Sequence, residues 1–199
     1  MPHRTLGGVS VRIIRPMQYP TSRRRMLGTL GAALGAPAVL ALAPAGARAE
    51  MASTRTLRLQ HLHTGEKLSI EYFSGGRYLP DALEAVNHLL RDFRTGEAGP
   101  MAPALFDLLH DLAVLTETRR PFEVISAYRS PKTNAALRAR SSGVASGSLH
   151  LQGKAIDIRL ADVPLIALRD AALSLERGGV GYYAASRFVH VDIGRVRRW

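Results

Sequence analysis

The chain contains no cysteine. Disulfides and thiolate metal ligands are thereby excluded, so a metal would have to be held by histidine, carboxylate or water. Nothing of that kind would be oxidised outside the cytoplasm, and a domain of roughly 150 residues can fold on its own core without covalent staples. The sequence also shows no internal repeat, no low-complexity segment and no second domain.

Acidic residues are missing from the first 49 positions. All 16 Asp and Glu lie from Glu50 onward, whereas seven of the 27 Lys and Arg (Arg4, Arg12, Arg15, Arg23, Arg24, Arg25 and Arg48) precede it. The formal charge of +11 therefore leaves 20 basic against 16 acidic residues, or +4, for residues 50–199. With the excess basicity concentrated in the leader, a nucleic-acid partner loses its support, while a modest positive charge suits an anionic cell-wall polymer.

That leader has the parts of an address. Ser22 and Arg23-Arg24-Arg25 precede Met26-Leu27, an apolar run follows to Ala43, and Ala47-Arg48-Ala49 has the small-x-small form of a signal-peptidase site. A twin-arginine export signal over residues 1–49 fits all three parts, with a domain over residues 50–199 delivered to the periplasm by the twin-arginine export machinery. The competing reading is an uncleaved anchor, because Met26 to Ala43 approaches the ~18 residues of a spanning helix. The Gly/Ala-rich make-up, Pro37, Pro44 and the cleavage-like end argue for removal, hence for no stable membrane insertion after cleavage. A start at Met17 would leave the signal intact.

Beyond the leader, alternation from Thr56 to Phe73 around Thr64-Gly65-Glu66-Lys67 predicts a hairpin. His61 and His63 lie near its turn at strand spacing, as solvated histidines rather than ligands. Pro80-Asp81 opens a helix with Leu83, Val86, Leu90 and Phe93 on one face, and a second helix runs from about Pro103 to Thr118. His88 and His110 fall on these helices without a chemical role. A strand at Phe122 to Ala127, a helix near Lys132 to Arg140, a Gly/Ser-rich loop from Ser141 to Gly147, and a strand at Lys154 to Leu160 follow. Pro164 starts the last helix, and Val180–Tyr183 with Arg187–Ile193 form a final antiparallel pair. The expected class is α+β: a small, mostly antiparallel sheet flanked by helices, with a metal site on one face.

Near the C-terminal end stand the residues that carry chemistry: Ser148-Leu-His150, Asp157, and His190-Val-Asp192. Two neutral imidazoles and one carboxylate, with no fourth protein ligand, are the inventory of a catalytic centre holding one Zn2+ ion. Period two places Phe188, His190 and Asp192 on one strand face and Val189 and Val191 on the other, and Ile156 and Ile158 likewise flank Asp157 from the opposite face. Such a centre suits amide hydrolysis, which also needs positive stabilisation and a base. Arg129 is a candidate catalytic and substrate-binding group, its planar fork matching a carboxylate or developing oxyanion, against a structural ion pair as the alternative. Asp192 is either the base or a partner that orients a ligand histidine. Tyr128 is either a core aromatic or a substrate contact, and Ser146 and Ser148 either bind substrate or solvate the loop.

Ser126-Ala-Tyr-Arg-Ser-Pro-Lys-Thr-Asn134, Ser148-x-His150-x-x-Gly153-x-Ala155-x-Asp157, and Gly179-Val-Gly181-x-Tyr183 with Phe188-Val-His190-Val-Asp192 resemble the murein endopeptidase K family, part of the wider group of D-alanyl-D-alanine-type zinc peptidases. The resemblance runs from about Phe122 to the end. It implies an exported zinc enzyme that cuts peptide cross-links of peptidoglycan, with His150, Asp157 and His190 as ligands. In many such relatives an acid three residues before the last ligand is the base, and here that position is Arg187. A zinc D,D-carboxypeptidase or dipeptidase acting on stem peptides, or a non-catalytic peptidoglycan-binding module, would use the same residues.

Overall fold

The computed structural model describes residues 54–140 and 145–199. The expected export signal, and Ser141 to Val144 of the Gly/Ser-rich loop, lie outside the described residues. Strands β1 (Arg55–His61) and β2 (Lys67–Ser74) form the expected hairpin. Leu57 and Leu59 are buried while Arg58 between them is exposed, as strand alternation requires. A two-residue strand β3 (Arg77–Tyr78) continues to helix α1 (Pro80–Leu89). This helix stops short of Phe93, whose ring instead stacks on His63 at 3.9 Å. Helix α2 (Pro103–Leu115) buries Leu105, Phe106, Leu108, Leu109 and Leu112 along its apolar stripe.

After β4 (Phe122–Ser126) come helix α3 (Pro131–Arg140), a 3-10 turn (Leu149–Gln152), β5 (Ala155–Arg159) and helix α4 (Leu165–Ser174). Strands β6 (Gly179–Tyr183), β7 (Phe188–Asp192) and β8 (Arg197–Arg198) complete the described domain. Their order in the sheet is β3-β2-β1-β4-β5-β7-β6-β8. The α+β class holds, but the sheet is neither small nor simply antiparallel: it has eight strands and is mixed, with β1 parallel to β4 and β6 parallel to β8. Alternation marks a segment as a strand without naming its neighbour, and two-residue strands such as β3 and β8 leave no periodic signal at all.

Helices α1 and α2 pack on β2 and β1, and α4 packs on β6 and β7. They cover one sheet face, where Leu57, Val124, Ile156, Ile158, Val189 and Val191 join the apolar core. The alternate residues of β5 and β7, Asp157 and His190, face the other way. No helix among the described residues is long and apolar enough to cross a membrane.

Asp107 fastens α2 to the hairpin, accepting from Arg55 Nη1 at 2.6 Å, Tyr72 Oη at 2.9 Å and Tyr78 Oη at 2.6 Å. Burial pushes its carboxyl up, but the two tyrosines and Arg55 outweigh this and hold it below its ordinary value. A carboxyl depressed in the folded state stabilises above its unfolded value and loses that contribution as pH falls through the folded one. Urea midpoints measured from about pH 7 down to about pH 3 should therefore fall more steeply below about pH 4 for the wild type than for Asp107→Asn; parallel curves would remove Asp107 from acid sensitivity.

Candidate metal centre and its cleft

The centre is built by strand register. Asp157 on β5 sits directly opposite His190 on β7, and Gly181 on β6 faces His190 from the other side. His150 arrives from the 3-10 turn, which closes at Gly153 with φ 63°. A side chain there would collide with the Pro100 carbonyl, so this position needs glycine for both its backbone angle and its space.

His150 Nε2 lies 3.3 Å from His190 Nδ1 and 3.4 Å from Asp157 Oδ1, and the last two are 2.8 Å apart. The remaining ring nitrogens decide what these atoms are. His150 Nδ1 is 2.7 Å from the Ala127 carbonyl, and His190 Nε2 is 3.1 Å from Asp192 Oδ2. Both partners accept, so both nitrogens donate, and each ring in its neutral form turns a lone pair toward the Asp157 carboxylate. Three acceptors thus face one another in a buried position, an arrangement that a cation satisfies. A tetrahedral ion with bonds of ~2.0–2.1 Å separates its ligands by about 3.3–3.4 Å, which two of the three distances already match. Burial pushes Asp157 up, yet the two histidines hold it well below the carboxylate range; burial pulls His190 down, yet Asp157 and Asp192 leave it raised.

Asp192 is fully buried on the far side of the His190 ring. Its Oδ1 accepts from Gly179 N at 3.0 Å, Gly194 N at 2.8 Å and Arg197 Nη1 at 3.1 Å. Its Oδ2 accepts from Arg197 Nη2 at 2.6 Å and from His190. The carboxylate is saturated and turned away from the cleft.

The cleft over the trio is lined by Arg129, Ser148, Tyr183, Phe188, Arg197 and Trp199 among others. Arg129 donates to Asn134 Oδ1 at 3.3 Å, while its buried Nε has no protein partner. Among the described residues no carboxylate lies within ion-pair distance of it, so the expected structural alternative is not what the fold displays. Burial lowers its guanidinium and the facing Asp157 charge opposes that. Arg129 is presented by a tight turn: Asp92, buried beneath it, accepts from Ser130 N at 2.9 Å and Ser130 Oγ at 2.7 Å, and Arg129 N donates to the His150 carbonyl at 3.2 Å.

Tyr128 does not join the cleft. Its backbone N donates to the Leu90 carbonyl at 3.0 Å and its ring lies so close over Gly99 that a side chain there would collide with it, so the ring packs with the core while Arg129 points the other way. Ser148 lines the cleft and Ser146 is exposed elsewhere on the loop. Arg187 sits in the β6–β7 turn with φ 57° and lines a different cavity. An always-protonated guanidinium at this position cannot serve as a base. His61 is buried and His63 stacks on Phe93; neither joins the trio. Nothing in the sequence marks Arg197 and Trp199 for the site, and Tyr183 and Phe188 enter it only as members of a motif; Gly181, bare opposite His190, is the one hint that a ring needs that space.

A buried two-histidine, one-aspartate trio at the floor of a cleft, on one face of a mixed α+β sheet, defines a candidate metal-dependent hydrolase. The chain belongs to the family described as peptidoglycan L,D-endopeptidase MepK, which it matches over residues 49–199. It is 44% identical to the peptidoglycan L,D-endopeptidase MepK of Escherichia coli K12 over 182 residues, covering 92% of this chain and 99% of that relative. It is 42% identical to the probable peptidoglycan L,D-endopeptidase MepK of Haemophilus influenzae, over 89% of this chain and 95% of the relative. No solved structure matches significantly. The protein is thus a peptidase.

Removing the Asp92 carboxylate strands buried donors of the Arg129 turn, each worth about 1–3 kcal/mol. Asp92→Ala should lower unfolding free energy by about 2–3 kcal/mol in denaturant titration; an unchanged midpoint would show that other contacts hold the turn.

Proposed function

We propose that this protein is an exported, zinc-dependent L,D-endopeptidase that hydrolyses peptide cross-links of peptidoglycan in cell-wall growth or remodelling. The observation that carries this reading is the convergence of three acceptors at the cleft floor, in a chain 44% identical to a peptidoglycan L,D-endopeptidase. Residues 1–49 act as the twin-arginine signal and residues 50–199 as the peptidase domain, a division supported by the family match beginning at residue 49.

His150 Nε2, Asp157 Oδ1 and His190 Nδ1 hold one zinc ion, which when bound supplies Lewis-acid polarisation of the scissile carbonyl. Ala127 and Asp192 keep the two imidazoles in the tautomers that ligation needs. Asp192 is therefore a positioning residue rather than the base, since every acceptor direction it has is already occupied. Arg129, whose side chain lines the cleft, offers its guanidinium to a substrate carboxylate or to the developing oxyanion, and Ser148 offers a hydroxyl at the loop rim.

Digestion of purified muropeptide dimers joined through an L,D bond should release monomers without loss of a terminal D-alanine. Release of D-alanine instead would mark a D,D-carboxypeptidase, and binding without hydrolysis in the presence of zinc would mark a non-catalytic module. His150→Ala should lose both zinc and hydrolysis while remaining folded by circular dichroism; retained activity would sink the ligand assignment. Asp192→Asn should weaken zinc binding by about 10–100-fold in chelator competition. Undiminished zinc affinity with a collapsed kcat would return the role of base to Asp192.

A further inference from the structure

Trp199 is the single tryptophan of the sequence, and it is held firmly while remaining 51% exposed. Its backbone N donates to the Val180 carbonyl at 3.2 Å and its carbonyl accepts from Tyr182 N at 3.0 Å. The Arg197 guanidinium lies 4.9 Å from its ring centre, and Arg197 is itself fixed by Asp192. Gly181 has no room for a side chain, because a Cβ there would come within 2.7 Å of the indole. The ring ends 5.2 Å from that of His190, at the edge of the trio. Hydrophobic stabilisation scales with area removed from water, so a ring restrained on this many sides yet half-exposed does little for the fold. Restraint of that kind lowers the ordering cost of binding something else.

Tyr183 supplies the polar half of the same wall. Indole N–H only donates, so in the 2.8 Å bond between Trp199 Nε1 and Tyr183 Oη the phenol is the acceptor. Its own hydrogen remains available, and no acceptor for it occurs among the described residues. The phenol ring is steadied by Phe188, stacked at 4.5 Å. In the sheet order, Arg129 follows β4 on one side of the strands β5 and β7 that carry Asp157 and His190, while Tyr183 ends β6 and Trp199 follows β8 on the other. The trio therefore lies between a cationic wall and an aromatic one.

We propose that Trp199 and Tyr183 form a preorganised substrate wall, in which the indole face takes the aliphatic part of a peptidoglycan stem peptide and the Tyr183 hydroxyl donates to a peptide carbonyl or carboxylate across the trio from Arg129. This rests on the reading of the protein as a peptidoglycan peptidase. Mixed rapidly with a purified cross-linked muropeptide dimer, the zinc-loaded enzyme should show a saturable change in tryptophan emission before turnover, reporting from Trp199 alone. Tyr183→Phe, which keeps the ring and removes only the hydroxyl, should raise KM about fivefold, the worth of one neutral hydrogen bond, with the loss falling on KM rather than kcat and zinc content retained. In a Trp199→Phe background, where nothing aims the hydroxyl, the same change should cost less. Normal KM in Tyr183→Phe together with unchanged emission during active hydrolysis would overturn the wall and leave the peptidase reading standing. An emission change without hydrolysis would support the wall and overturn the peptidase reading; neither signal would overturn both.

Discussion

The register between β5 and β7 is the constraint on which the site depends. Asp157 meets His190 only because Ile156 and Ile158 on one strand, and Val189 and Val191 on the other, are all buried beneath the helices. A slip of either strand by one residue would turn its two aliphatic side chains outward and drive its carboxylate or imidazole into the apolar core. Each such aliphatic side chain contributes about 1.5–3 kcal/mol by burial, so the core opposes the slip far more strongly than any single polar contact could. The same energy tolerates the cost of placing a charged carboxylate and two imidazoles close together out of water.

Around the trio, a chain of contacts runs outward. Asp192 holds His190, two backbone amides and Arg197 hold Asp192, and Arg197 lies over Trp199. The orientation of the His190 ring and the position of a cleft wall are therefore set by one buried carboxylate. On the other side the His150 carbonyl is bonded to the backbone of Arg129, whose turn Asp92 secures. The trio and the cleft-lining groups are thus parts of the same hydrogen-bonded framework, which limits how far they can drift relative to one another.

Much of this was legible from residue patterns. The hairpin, the helices at Pro80 and Pro103, and the strands carrying Asp157 and His190 follow from apolar periodicity and its punctuation by Pro and Gly. The convergence of His150, Asp157 and His190 was legible because without cysteine few metal donors remain, and because alternation turned Asp157 and His190 to one face. Tyr128 illustrates the limit: next to Arg129 in sequence, it takes part in the core because its backbone bonds to Leu90 and its ring lies over Gly99, contacts between segments far apart in the chain. Arg187 illustrates another: it precedes β7 in a turn at φ 57° and lines a separate cavity, a placement that its spacing from His190 does not reveal.

The sequence by itself determined which segments are strands and helices, which face of each is apolar, and which side chains have the chemistry to bind a metal, because those are properties of local periodicity and residue type. Only the tertiary structure decided the mixed, eight-stranded order, the saturation of Asp192, and the arrival of Trp199 and Arg197 beside His190. Those depend on which strands become neighbours, and neighbour choice is settled by the packing of the whole core rather than by any short stretch of chain.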